Sequence, residues 1–213
     1  MKEGNLPASK EPRRLPFVLA SASPRRLALL RQIAVAPLCV DPADLDERPW
    51  RSERPVACAA RLACDKAATV ARRHPGFHVL AADTVVACGR RILPKAETAA
   101  EAERCLALLA GRRHRVLGGV CLRTPEGRSI VRVVTTIIAF KPLDGLERLA
   151  YLATNEWQAK AGGYAIQGRA ATFVRFLSGS YSNVVGLPLY ETAALLQGAG
   201  LLKPGVLEEG SGR

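Results

Sequence analysis

Residues 16–33 read PFVLASASPRRLALLRQI, and this stretch decides the fold. Pro16 to Ala20 is a short apolar run that suits a buried strand, whereas Leu27, Leu30 and Ile33 recur at helical spacing beyond Pro24. Strand, tight turn and helix therefore follow in immediate succession. Pro24 suits a first helical turn, where its missing N–H would have been an unpaired donor. The turn before it, Ser21-Ala22-Ser23, leaves backbone N–H groups free at the helix start.

Downstream the same alternation continues, which predicts an α/β domain. Val35 to Val40 reads as a second strand, and Asp41 to Pro55 as an acidic loop with Asp44, Asp46 and Glu47. A long helix follows from Pro55 to His74, with Val56, Ala60, Ala63, Ala67, Val70 and Ala71 on one face and Lys66 at its border. Pro75-Gly76 ends it. Phe77 to Val86 is an apolar strand interrupted by Asp83, and Gly89-Arg90-Arg91 turns into a short Ile92-Leu93 strand. Thr98 to Leu109 is helical and stops at Gly111. Arg115 to Leu122 and Ser129 to Phe140 pair about Pro125-Glu126-Gly127. Asp144 to Ala153 forms a helix with Leu146, Leu149 and Ala150 inward, 161–168 is a glycine-rich loop, Thr172 to Leu177 a strand and Pro188 to Gln197 a last helix.

With 213 residues, 48% hydrophobic and only 5% aromatic, the chain can bury an aliphatic core without disulfide or metal staples. One domain over 16–200 is expected, between a flexible leader (1–15) and a flexible tail (201–213). No two of the six cysteines have C-x2-C spacing, so they read as reduced thiols. There is no apolar run of about 18 residues, and the first 14 residues lack the apolar stretch of a signal peptide. A cytoplasmic protein without a membrane partner is the expectation.

The net charge of +12 fits an acidic ligand, a nucleic acid or an arginine-rich proteome, and charge alone does not choose among them. The basic runs 72–74 and 112–115 lack interleaved aromatics, so they read as solvated helix-end and turn charges rather than a nucleic-acid platform. P-loop and G-x-G-x-x-G signatures are absent, and Pro75-Gly76 separates His74 from His78, which argues against a zinc pair.

Three features depart from what a core requires. Asp83 stands inside an apolar strand, where an ionised carboxylate is costly unless it faces a cleft, a cation or a metal; it is either a working group or a paired structural acid. Ser21 to Arg26 combines hydroxyls, free N–H groups and two guanidinium forks, a set that matches phosphate oxygens and equally serves a helix cap with surface arginines. Asp46 and Glu47 are exposed acids on a loop. Lys66 and Lys95 pass as surface lysines in isolation. Taken together, carboxylates for a hard divalent ion and Ser, Arg and Lys for phosphate oxygens form the set that phosphoryl or nucleotidyl chemistry requires.

LASASPRR, DLDE, RLACDKA, AADTVVA, ILPKAE, LLAGRRHRV, KAGGYAIQG and GSYSNVVGLPLYET occur in that order, and together they resemble the Maf family from about Phe17 to Gly200. The resemblance implies a mixed α/β fold similar to inosine triphosphate pyrophosphatases, with a twisted elongated sheet, flanking helices, a central cleft between two lobes and a homodimer. It implies hydrolysis of a nucleoside triphosphate to monophosphate and pyrophosphate. Ser21, Arg25 and Arg26 would grip phosphates, Asp83 and Glu47 would carry Mg²⁺ or Mn²⁺ with Asp83 as base, and Lys66 and Lys95 would meet the leaving group. Arg25, Thr84 and Gln167 resemble the branch acting on dTTP and UTP, and modified pyrimidine nucleotides fall in the same class. A Gln amide offers both donor and acceptor to a pyrimidine edge. Two positions depart from the family pattern: Ala96 replaces the proline after Lys95, and Ala34 replaces the glycine after the first helix. Two rivals stand beside this reading, a non-catalytic nucleotide-binding regulator of cell division and a nucleic-acid binder.

Overall fold

The computed structural model describes residues 16–202; the expected leader and the tail beyond Leu202 lie outside the described residues. The opening motif forms as its pattern requires. Strand β1 (Phe17–Ala20) is wholly buried and runs through the turn into helix α1 (Pro24–Gln32), with proline in the first turn. Beside β1 lies β2 (Cys39–Val40), far shorter than the run 35–40 suggested. Val35 instead completes the end of α1, its N–H bonding Leu30 O at 3.0 Å while Ala34 takes φ 53°.

Helix α2 (Pro55–Ala71) precedes the long strand β3 (His78–Cys88), and β4 (Arg91–Leu93) folds back on it. Next come β5 (Lys95–Ala96) and α3 (Ala99–Leu109), whose start is a capping box between Thr98 and Glu101. A long hairpin, β6 (Arg113–Arg123) and β7 (Ser129–Phe140), turns where Gly127 adopts a positive φ. Helix α4 (Gly145–Leu152), β8 (Lys160–Ala161), a 3-10 turn (Arg169–Phe173), β9 (Val174–Ser178), α5 (Tyr181–Val185) and α6 (Leu189–Gly198) complete the chain. The main sheet is mixed, in the order β2-β1-β3-β6-β7-β9 with β4 on β3, and β5 pairs with β8 apart from it.

Alternation along β3 divides the core. Val79, Ala81, Val85 and Ala87 pack toward α2, against residues such as Ala59, Leu62, Ala63 and Val70. Leu80, Ala82 and Val86 face the larger cluster on the other side, with Leu30, Leu106 and Leu122. Each fully buried leucine contributes about 1.5–3 kcal/mol, which offsets the cost of keeping an acid in β3. Helix α2 reaches the sheet closely because Gly119 lacks a side chain: a Cβ there would stand 2.0 Å from the Ala59 carbonyl oxygen.

Three faces differ from expectation. Val56 is exposed, because the buried stripe of α2 runs through Cys58, Ala59, Leu62, Ala63, Lys66, Ala67 and Val70. On α4, Leu146 and Leu149 are 80% and 62% exposed and Ala150 also points outward. The helix is turned by the buried Tyr151 ring and by Arg148, which bonds Glu103 and the Leu143 carbonyl. Within the run 112–115, His114 is buried rather than solvated. It meets the Tyr164 hydroxyl at 2.8 Å, and burial pushes its ring down to about 4.

Candidate active site

The sheet leaves an opening beside Asp83. On one edge of β3, β1 pairs with 78–81 and β4 with 86–88, so residues 82–85 have no strand neighbour on that side. The turn after β1 and the loop before α2 fill the surroundings of this gap. Alternation sends Asp83 toward α2 and Thr84 toward α1, and each meets a cation there.

Asp83 is 1% exposed, and Lys66 donates to it at 2.6 Å. The same ammonium lies 2.6 Å from Glu47. Lys95 bonds Glu47 and stands 3.8 Å from Asp83. Two acids and two lysines, brought from a loop, α2, β3 and β5, thus form one cluster, with Lys66 and Asp83 buried, Glu47 half-buried and Lys95 exposed at its rim. Burial opposes ionisation of Glu47, but Lys66 and Lys95 outweigh it and hold the carboxyl at about 2. Asp46 does not join, being exposed and turned to Arg48 at 2.8 Å.

On the α1 side, Arg26 is also buried. Its Nε donates to the Gly186 carbonyl at 2.8 Å, Nη1 to Ser21 Oγ at 3.0 Å and Nη2 to Thr84 Oγ1 at 3.3 Å. Burial lowers its pKa, and the charges of Asp83 and Glu47 partly restore it. Ser21 Oγ also accepts from the Ser23 N–H at 3.2 Å, whereas Ser23 makes no side-chain cap bond to α1. The serines are therefore not spent on capping. Asn183 ties α5, the helix just before Gly186, to the sheet, its amide donating to the carbonyls of Val116 and Val134.

Ser21, Arg25, Arg26, Glu47, Lys66, Thr84, Lys95 and Gln167 line one cavity of about 370 Å³. Asp83 lines a second, of about 660 Å³, together with Glu47, Thr84 and Lys95. The charged cluster lies between the two. The nine residues to which the resemblance gives roles thus line these two adjoining cavities, and Asp46 stays out of the charged cluster. Sequence reading assigned no role to Lys160, which lines the first cavity near Arg25 and whose ammonium donates to the Gln158 carbonyl at 2.9 Å. Pairing of β5 with β8 sets Lys95 opposite Ala161 and so brings Lys160 to this rim. The two-residue strands carry no alternation, and the only sequence signal for Lys160 was its place at the head of the KAGGYAIQG motif. Arg25 Nε is buried without a hydrogen-bond partner among the described residues, which leaves this donor for an anion.

Among the described residues no group of three or more His, Cys, Asp or Glu side chains converges. The donor chemistry still fits Mg²⁺ or Mn²⁺, because such ions take one or two carboxylates and complete their shell with phosphate oxygens and water. Glu47 and Asp83 would be those two carboxylates, and Lys66 already draws them together.

A family model described as Maf-like protein matches residues 16–199. The chain belongs to the Maf family. It is 65% identical over 184 residues to a protein of Paramagnetospirillum magneticum named dTTP/UTP pyrophosphatase, covering 86% of this chain and 97% of that one. A protein of Rhodospirillum rubrum with the same name is 62% identical over 190 residues, covering 89% of this chain and 90% of that one. Among solved structures, a HAM1 protein from Coxiella burnetii is similar at 18% identity and a TM-score of 0.49, covering 86% of this chain and 99% of that one. That likeness is too distant to bear on substrate or mechanism. As for the departures from the Maf pattern, Ala96 is buried in β5 and leaves Lys95 in the cluster, whereas Ala34 takes a left-handed backbone that favours glycine.

Proposed function

We propose that this Maf protein hydrolyses pyrimidine nucleoside triphosphates, dTTP and UTP and their modified analogues, to the monophosphate and pyrophosphate. The observation that carries this reading is the Glu47-Lys66-Asp83-Lys95 cluster, centred on the buried Lys66–Asp83 pair and set beside Arg26 at the gap in the sheet. The curated relatives' name supports the substrate class.

Arg25, Arg26, Lys160 and Ser21 hold phosphate oxygens in the first cavity, where Gln167 at the mouth meets the base. Asp83 orients the attacking water at the α-phosphorus and takes up its proton. Lys66, Lys95 and Arg26 face the charge that develops on the departing pyrophosphate, and such placed charges supply much of phosphoryl-transfer catalysis. Glu47 and Asp83 would hold a divalent ion, which would neutralise phosphate charge there. A cytoplasmic location and a homodimer belong to the same reading. A non-catalytic regulator would have no use for an ion pair as costly to bury as Lys66–Asp83.

The test is a panel of nucleoside triphosphates with Mg²⁺. Pyrophosphate and monophosphate from dTTP and UTP, with little from GTP, are expected. Orthophosphate as the first product overturns the cleavage position, and no product from any triphosphate overturns the enzyme.

A further inference from the structure

Glu47 is the member of the charged cluster that no helix or strand carries: Lys66 lies on α2, Asp83 on β3 and Lys95 on β5, whereas residues 41–54 form no regular element. Ordering an irregular loop costs backbone entropy; Arg73 ties its start through Asp41 and the Pro42 carbonyl, and the part after Glu47 needs an anchor of its own. We infer that Arg61 is that anchor, a positioning residue that holds the Glu47 loop against α2 through Glu53, Trp50 and the Arg48 carbonyl.

The contacts converge on one guanidinium. Arg61 Nε donates to Glu53 Oε1 at 2.7 Å and Nη2 to Glu53 Oε2 at 2.8 Å, a parallel fork. Both side chains are well shielded, at 12% and 7% exposure. Nη2 also reaches the Arg48 carbonyl at 3.3 Å, one residue beyond Glu47. The guanidinium lies 4.2 Å from the Trp50 ring centroid, and Glu53 Oε2 accepts from the Trp50 N–H at 3.0 Å. The bond from Arg61 is the main reason the Glu53 carboxyl is held at about 2. Arg61 lines neither cavity, so it acts through the loop and not on the substrate.

The arrangement also sets a distance. Arg61 and Lys66 share α2 five residues apart, roughly 7.5 Å along the axis. The helix thus gauges where the loop is tied and where Glu47 must meet its lysine. Lysine at 61 would keep the charge but not the planar fork, so the substitution isolates the geometry.

The inference rests on the proposed hydrolysis and is tested on the full chain with dTTP and Mg²⁺. Arg61→Lys and Glu53→Gln should each lower kcat/KM by about tenfold to a hundredfold, the scale of a small misplacement at a reacting centre. Amide hydrogen exchange should quicken in 44–53 while β3 and β6 keep their protection. Adding Arg61→Lys to Glu47→Gln should cost no more than about twofold, because the first acts through the second. Full activity in both single variants, exchange that rises across the whole sheet, or losses that multiply in the double variant would overturn the inference. An inactive wild type overturns the hydrolysis instead, and the exchange result then judges the anchor by itself.

Discussion

Replacing Lys66 by methionine removes the ammonium and keeps most of the stem. Glu47 and Asp83 each lose a bond of 2.6 Å, and the two carboxylates are left to repel each other. Asp83, 1% exposed, cannot turn to water, and Lys95 at 3.8 Å is its nearest remaining lysine. Breaking a buried pair costs about 3–5 kcal/mol. Lys95 compensates in part, so the expected loss is about 3 kcal/mol, or a melting point lower by roughly 6–12 °C for a domain of this size. The pH dependence follows from Glu47. Its carboxyl sits at about 2, below the usual 4.5, so its contribution is complete above 4.5 and lost as pH falls toward 2. Glu47 is 31% exposed on its side chain, so solvent reduces its share to about 1–2 kcal/mol. Urea unfolding of both proteins, followed by circular dichroism from pH 7 to pH 3, measures the difference. It should be largest at neutral pH and narrow below 4.5. A difference that stays flat across that range, or none at all, would refute the claim that opposed charges hold the cluster.

Asp83→Asn should retain the fold and lower turnover by at least about a thousandfold, because the amide cannot take up a proton from water; thermal melting and steady-state kinetics on the same preparation check both halves. Ala34→Gly relieves a left-handed alanine at the end of α1. The relief is about 1–2 kcal/mol, less about 0.4–1 for the freer unfolded chain, so melting should rise by a few degrees with activity unchanged. Gln167→Glu, at the cavity mouth, should lower kcat/KM for dTTP and UTP by about tenfold or more, since a carboxylate offers no donor to a pyrimidine edge.

Local chemistry was legible where residues broke a local rule. Asp83 stands out as an acid in an apolar run, and the first strand, turn and helix follow from Pro16, Pro24 and the spacing of Leu27, Leu30 and Ile33. The opening around Asp83 is different in kind. It exists because β1 and β4 share one edge of β3 without meeting, a pairing that no periodicity encodes. The outward face of α4 was misread for a related reason: Leu146 and Leu149 have core-like spacing, but the Tyr151 ring and the Arg148–Glu103 pair orient the helix. Arg61 and Lys160 open the RLACDKA and KAGGYAIQG motifs, but their partners are not legible there, because residues 41–54 form no regular element and two-residue strands carry no alternation.

The central claim is that water attacks the α-phosphorus beside Asp83. Hydrolysis of dTTP in water enriched with oxygen-18, with mass spectrometry of both products, tests it most directly. One labelled oxygen in the thymidine monophosphate and none in the pyrophosphate is the predicted result. Label in the pyrophosphate would place the attack at the β-phosphorus and contradict the account.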